Sequence, residues 1–256
     1  MSGLGVLVRK ELTEAWRTRR LPVVVVLFLV VGVVSPLTAR YLPEILELSL
    51  GDELPIPLPV PTAADALAQL QKNLGQLGAL AAIALAMGSV AGELDRGTAA
   101  LVLAQPATRG AFLAAKLIAI AVVLAVGMAA ATIVGWLYTA ILFEPLPLGG
   151  WLAMAVLSWL ALMAWAALTF LASAATGSTT AAAGIGFVAL VVVSLASIVP
   201  ALGRLLPSGL STPAIELASG TTVADPASAL TAVLGTIVLI GAAVVGAQLA
   251  FRAREL

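Results

Sequence analysis

Histidine and cysteine are both absent from the 256 residues of the chain. Without cysteine there can be no disulfide and no thiolate metal site. Without histidine the commonest general base and the commonest metal ligand are missing together. Charge is the next scarcity: Asp, Glu, Lys and Arg make up 10% of the residues, against 61% hydrophobic ones. A soluble domain carries about 25% charged residues to cover its wetted surface. A chain this poor in charge needs lipid as the solvent for its apolar surface. The 13 basic and 13 acidic residues cancel, so the total leaves no nucleic-acid footprint and no nucleic-acid partner is expected. Catalytic motifs are missing as well. No Gly-Lys pair occurs, so the chain has no phosphate-binding P-loop of its own, and neither HExxH nor GxSxG is present. No enzymatic activity and no bound cofactor are expected of the chain itself.

What the sequence has instead is long charge-free runs. Crossing a bilayer takes about 20 apolar residues, and a charge at mid-membrane costs at least about 2.5–3.5 kcal/mol. Nineteen uncharged residues separate Arg20 from Arg40, 20 separate Lys72 from Glu93, and 27 separate Lys116 from Glu144. The 59 uncharged residues from Pro145 to Gly203 are too many for one crossing. Thr176-Gly177-Ser178-Thr179-Thr180 divides them. A last window of 26 lies between Asp225 and Arg252. The expected fold is therefore an all-α integral membrane protein, a single transmembrane domain over 1–256. Its six spans are expected near 21–40, 72–92, 114–142, 150–174, 181–203 and 227–251. Ser35-Pro36-Leu37-Thr38-Ala39-Arg40 offers no convincing small-x-small cleavage site, so the first run is expected to be kept as a span.

Basic residues orient the spans. With the N-terminus inside, 10 of the 13 fall on the cytoplasmic side: Arg9, Lys10, Arg17, Arg19, Arg20, Arg96, Arg109, Lys116, Arg252 and Arg254. Only Arg40, Lys72 and Arg204 fall outside, and most acidic residues lie with them. Both termini are expected in the cytoplasm.

The segments between spans differ in character. Residues 2–20 place Leu4, Val8, Leu12 and Trp16 at steps of four, with Lys10, Glu11, Glu14 and Arg17 on other faces. That pattern suits an amphipathic helix lying in the interface. The alternative is a plain lead-in whose cations only set topology. The external loop 41–71 alternates Pro55, Pro57, Pro59 and Pro61 with apolar residues, which stiffens it toward polyproline II. Thr62 to Asp65 then reads as a helix start with an acidic N3 residue, so the second helix begins outside the membrane. A second external loop, 204–226, holds a short helix at Ala214–Ser219 closed by Gly220. Asp225-Pro226 starts the sixth span. Three small-xxx-small pairs, Gly88/Gly92, Gly127/Ala131 and Ala243/Ala247, permit close helix approach. In a chain so rich in Ala and Gly they assign no dimer interface.

The loop 93–113 carries the most information. Gly92-Glu93-Leu94-Asp95-Arg96-Gly97-Thr98 takes a helix out of the membrane and breaks it at Gly97. A short apolar helix capped by Thr98 follows, then Pro106 and a new helix carrying Arg109 and Lys116. Such a helix, pinned between two spans, is a docking element for a cytosolic partner or an ordinary loop whose charges fix topology. The string Glu93…Gly97-Thr98…Leu101…Leu103…Pro106…Arg109…Lys116 resembles the first cytoplasmic loop of ABC-2 type permeases, the membrane subunits of ATP-binding-cassette exporters. Lys10-Glu11-Leu12…Trp16-Arg17…Arg20 is similar to that family's elbow helix.

The resemblance implies a homodimer, each copy bound to a cytosolic ABC ATP-binding subunit that binds and hydrolyses the ATP. It implies that residues 94–106 form the coupling helix. Glu93, Leu94, Arg96, Gly97, Thr98, Leu101, Pro106 and Arg109 would make up the ATPase-coupling site, and Lys10, Glu11, Trp16 and Arg17 the elbow contacts. Localisation in the plasma membrane of a prokaryote follows from the same likeness.

Lys72, Asn73 and Gln76 could line an external pathway, or lie on a helix extension in water. Uncharged spans favour a hydrophobic or amphipathic substrate. Two other functions remain open: an ATPase-coupled scaffold or mechanotransmission component, for which the long external loop leaves room for an extracytoplasmic partner, and a stand-alone multi-pass carrier. The absence of mid-membrane charge weighs against the carrier.

Overall fold

A computed structural model describes residues 3–50, 60–95 and 108–253 of the chain. They form helices throughout, with no strand among the described residues. In order these are α1 (Gly3–Arg17), α2 (Arg20–Leu50), α3 (Ala63–Asn73), α4 (Ala79–Met87), α5 (Ala91–Asp95), α6 (Arg109–Leu142), α7 (Leu148–Thr176), α8 (Thr179–Ala196), α9 (Pro200–Gly203), α10 (Ser211–Ala218) and α11 (Pro226–Arg252). A π-helical turn, Leu74–Gly78, joins α3 to α4, so 63–95 runs as one interrupted rod. Six stretches are long and apolar enough to cross a membrane: Arg20–Leu46, Ala63–Asp95, Arg109–Leu142, Leu148–Thr176, Thr179–Ala196 and Pro226–Arg252.

Local chemistry explains the ends of these helices. Thr62 and Asp65 form a reciprocal capping box: the Thr62 amide donates to Asp65 Oδ2 at 2.8 Å, and the Asp65 amide donates to Thr62 Oγ1 at 3.4 Å. Asp225 accepts from the Ser228 amide at 3.0 Å, with Pro226 in the first turn of α11. Gly177 has φ +66° and closes α7, and Gly220, at φ +78°, follows α10.

Two span ends differ from the sequence expectation, and the short external helix runs Ser211–Ala218 rather than Ala214–Ser219. α2 continues to Leu50, ten residues beyond the expected end of the first span at 40 and into the expected loop 41–71. A charge-free window marks where hydrocarbon ends, whereas a helix can run on into water. Here Pro36 and Pro43 lie inside α2 without ending it, and Arg40 reaches Glu44 one turn on at 4.0 Å. The fifth span is the other case. α8 ends at Ala196, before the expected 203, and Pro200 opens the separate short turn α9.

Small residues set the closest helix approach. α2 crosses α6 at Gly32, where an added Cβ would lie 2.8 Å from the Ala131 carbonyl oxygen and 3.3 Å from the Gly135 nitrogen. One turn to either side of Ala131, Gly127 receives Val24 and Phe28, and Gly135 receives Leu70 and Trp151. The Gly127/Ala131 pair thus serves contact within the chain. α8 is packed least, with only Ala182 and Gly186 buried.

Gly32→Ala should therefore force α2 off α6, at a cost of roughly 1–3 kcal/mol typical of overpacking. Thermal unfolding of the purified protein in detergent should show a clear drop in Tm. Gly241→Ala, which meets no atom within 4 Å, should leave it unchanged.

Candidate functional site

α1 lies against the first turns of α6, at the end of the bundle that also holds the end of α5 and the end of α11. At this terminal face five charged side chains meet. Lys116, on α6, is only 3% exposed. Its ammonium donates to Glu93 Oε1 at 2.7 Å and to both carboxylate oxygens of Glu11 at 3.2 Å. It also lies 4.9 Å from the centroid of the Phe112 ring. Lys10 donates to the same Glu93 oxygen at 2.9 Å and to Glu11 Oε1 at 3.0 Å, with Glu14 at 3.7 Å. Glu93 is 5% exposed and Glu11 13%. Two cations and three anions thus interlock α1, α5 and α6.

Taking these charges out of water is expensive, and only their mutual pairing offsets it. Burial works to lower the Lys10 pKa, but hydrogen bonds to Glu93 and Glu11 outweigh it and hold the group above the usual lysine range. Because the folded value lies above the unfolded one, this contribution is complete below the ordinary lysine pKa of roughly 10.4. It is lost only as pH rises through the raised value. Glu11, Glu14 and Glu93 stand close enough together to hold a metal ion, yet the positive charge they need already comes from Lys10 and Lys116. Beside them lies a small cavity of about 40 Å³, lined in part by Arg20, Gly88 and Ser89.

The same face ties in the sixth span. Phe112 stacks on the fully buried Phe251, with ring centroids 5.6 Å apart and an interplanar angle of 19°. Arg109 donates to the Arg252 carbonyl at 3.0 Å. The break between α4 and α5 is satisfied by Ser173 of α7. Its hydroxyl accepts from the Val90 and Ala91 amides and donates to the Met87 carbonyl.

Of the residues singled out from the sequence, Lys10, Glu11 and Glu93 come together in the network. Glu93 faces inward, where Lys10 and Lys116 bond to it. Leu94 packs against the core. Arg109 opens α6. Trp16 and Arg17 lie on the outer side of α1, where Trp16 is 64% exposed. The Leu4–Trp16 stripe is not packed into the bundle; Ala15 is the buried residue of α1. Arg96, Gly97, Thr98, Leu101 and Pro106 lie outside the described residues.

At the opposite end, Asn73 donates to Ser35 Oγ at 2.9 Å, while Lys72 and Gln76 are exposed. Lys116, Glu14 and Ser173 were missed as site residues. Lys116 stood in the quoted string without a role. Ser173 is one hydroxyl in an apolar span and gives no signal of its own.

The junction from α1 to α2 turns at Arg19, with φ +61°. No other described residue besides glycine has positive φ, and such a backbone costs about 1–3 kcal/mol.

Residues 6–243 match the family model described as ABC-2 family transporter protein. The chain is also similar to YxlG of Bacillus subtilis (strain 168), named an uncharacterized transmembrane protein. Identity is 29% over 146 residues, which is 56% of this chain and 57% of that relative. The likeness therefore spans little more than half of the relative's length.

Lys116→Met removes one partner and leaves Glu93 and Glu11 short of a cation. It should destabilise the protein by about 3–5 kcal/mol. Combining it with Glu93→Gln should recover part of that loss, so a double-mutant cycle on thermal unfolding should give a coupling energy above about 1 kcal/mol. Additive effects would mean that the pair does not interact. The wild-type Tm should vary little between about pH 7 and about pH 9, where Lys10 stays charged.

Proposed function

The chain belongs to the ABC-2 family of transporter proteins, and from that premise we propose that it is the membrane-spanning subunit of an ATP-driven exporter. It carries no catalysis and binds no ATP itself; a separate cytosolic subunit does both. Two copies pair in the plasma membrane of a prokaryotic cell, with both termini in the cytoplasm, as the placing of 10 of 13 basic residues favours. The substrate class is hydrophobic or amphipathic.

The observation that carries this reading is the ion network at the two ends of the loop 96–107. Glu93 sits at the end of α5, just before the loop, and Lys116 sits two turns into α6, just after it. They bond to each other and to α1. A push on the loop by an ATPase therefore reaches the second span, the third span and the elbow together. Phe112 on Phe251 extends that path to the sixth span. In this reading Arg96, Thr98 and Leu101 touch the ATPase, Glu93 and Lys116 pass the movement inward, and Lys72 and Gln76 face the external pathway.

The test is co-purification from native membranes in mild detergent. Wild type should bring down a P-loop ATPase with vanadate-sensitive ATP hydrolysis. Leu101→Glu should lose both while still eluting as folded, monodisperse protein. Wild type isolated alone would remove the ABC reading. An ATPase retained by the Leu101→Glu variant would remove only the loop assignment.

A further inference from the structure

The cations at the terminal face divide into two groups. Lys10 and Lys116 are consumed by the network, together with Glu11 and Glu14, the two acids of α1. Arg9, Arg17, Arg19 and Arg20 are all exposed, and none has a carboxylate within 4.0 Å among the described residues. The outer side of α1 and its junction to α2 therefore carries Arg9, Arg17 and Arg19; Glu14, which borders the same groove as Arg9 and Arg17, is paired to Lys10, and Arg20 stands at the edge of the cavity beside Glu11, Glu14 and Glu93. The depth of these arginines is fixed by the chain. Arg20 is the first residue of a span, so the junction lies where hydrocarbon gives way to headgroups. Trp16, 64% exposed, sits one turn before it, and an indole at that depth has its apolar body in lipid and its polar edge in the headgroup layer.

The backbone gives a second, independent observation. At φ +61°, position 19 has the geometry that glycine or asparagine accepts most readily. An arginine there is strained, and among the described residues its side chain makes no ion pair or hydrogen bond. What the position supplies is a guanidinium, pointed out of the bundle at a fixed turn. Guanidinium groups bind phosphate oxygens through paired N–H donors. Arg9, Arg17 and Arg19, none ion-paired to a carboxylate among the described residues, match a headgroup of net negative charge better than a zwitterionic one.

We propose that the α1–α2 junction binds the phosphate headgroup of an anionic phospholipid. Arg17 and Arg19 hold it, Arg9 and Arg20 add to the field, and Trp16 packs at the top of its acyl chains. Occupancy braces the elbow against the membrane on the side away from Lys116, so the network works against a fixed support. The site rests on the chain's being membrane-embedded and not on the transporter reading.

The full chain would be reconstituted in phosphatidylcholine vesicles in which either the phosphatidylcholine or an added phosphatidylglycerol carries bromine near the headgroup end of its acyl chains. Quenching of Trp16 is read as the difference between wild type and Trp16→Phe. Brominated phosphatidylglycerol should quench more strongly than brominated phosphatidylcholine at equal mole fraction, with a preference of roughly fivefold for each arginine engaged. Arg17→Gln with Arg19→Gly should bring the preference close to one. The glycine accepts the left-handed backbone, so this variant keeps the junction's shape. Arg17→Lys should keep much of the preference, since the charge is retained.

Equal quenching by the two lipids would overturn the proposal. So would displacement of phosphatidylglycerol by millimolar inorganic phosphate, which would mark a site for the free anion. Absence of any lipid preference, with the double variant instead loosening a cytosolic ATPase, would assign these arginines to that protein.

Discussion

A lysine that is 3% exposed at the edge of a membrane bundle imposes a condition on everything near it. Its charge must be matched within hydrogen-bonding distance, because in a medium of low dielectric an unmatched ammonium costs several kcal/mol. Lys116 meets the condition with Glu93 and Glu11, and neither is a neighbour in sequence: they stand 23 and 105 residues away. Satisfying one charge thus fixes the end of the second span and the face of α1 that turns inward. Glu93 is equally demanding, and Lys10 adds a second ammonium to the same Oε1 from the open side. The elbow is held in register by electrostatics, since Ala15 is its only buried residue.

The rest of the bundle is held by different means. In lipid, helices gain nothing from hiding apolar surface that lipid would solvate as well, so close approach and polar ties must do the work. α2 and α6 use close approach at Gly32, Gly127 and Gly135. The half far from the termini uses polar ties: Asn73 to Ser35, and Ser158 to Gln71 at 2.9 Å. Trp159 and Trp136 each donate to a carbonyl at 3.0 Å, at Ala121 and Leu146. The second span contains both kinds of irregularity that would let a helix bend, a π-helical turn at Leu74–Gly78 and a break after Met87. Its terminal segment α5 is gripped by the ion network and by Ser173. A rod clamped at one end and interrupted twice along its length can move its far half without releasing the clamp.

Much of this was legible beforehand, for a simple reason. Charge avoidance inside hydrocarbon is a strong, local constraint, so gaps between charged residues located four of the six spans, and the polar break at 176–180 divided the remaining window into two. Caps are local too, and Thr62-Asp65, Asp225-Pro226 and Gly220 were each readable from a few adjacent residues. The end of α2 was not, because helix continuation past Arg40 depends on pairings and turn-by-turn packing that no charge count contains. The candidate site was half legible. Lys10, Glu11 and Glu93 were picked out by motif, but as surface contacts. Whether a lysine at a window's edge points to water or into the bundle depends on which carboxylates the fold delivers to it. In this chain those arrive from 23 and 105 residues away.

The choice of cation on each side of α1 follows from geometry. An ammonium has three donors spread around one nitrogen, so a single Nζ can serve several carboxylates that converge from different helices. Lys116 serves two, and Lys10 reaches three. A guanidinium is planar and presents its donors as a fork that suits one carboxylate or phosphate at a time. At a node where α1, α5 and α6 bring acids from three directions, a fork would satisfy one partner and strand the others in a space that leaves only about 40 Å³ free. On the outer side the requirement is reversed, since the nearby acid, Glu14, is engaged with Lys10 and the groups must capture something planar and oxygen-rich from the surroundings. Arg9, Arg17 and Arg19 stand there, while Lys10, 41% exposed and bordering the same groove as Arg9 and Arg17, turns its ammonium to the acids. The pairing of Lys10 and Lys116 with the acids, against arginines left unpaired along α1 and its junction, is what separates a permanent internal joint from an exchangeable external one.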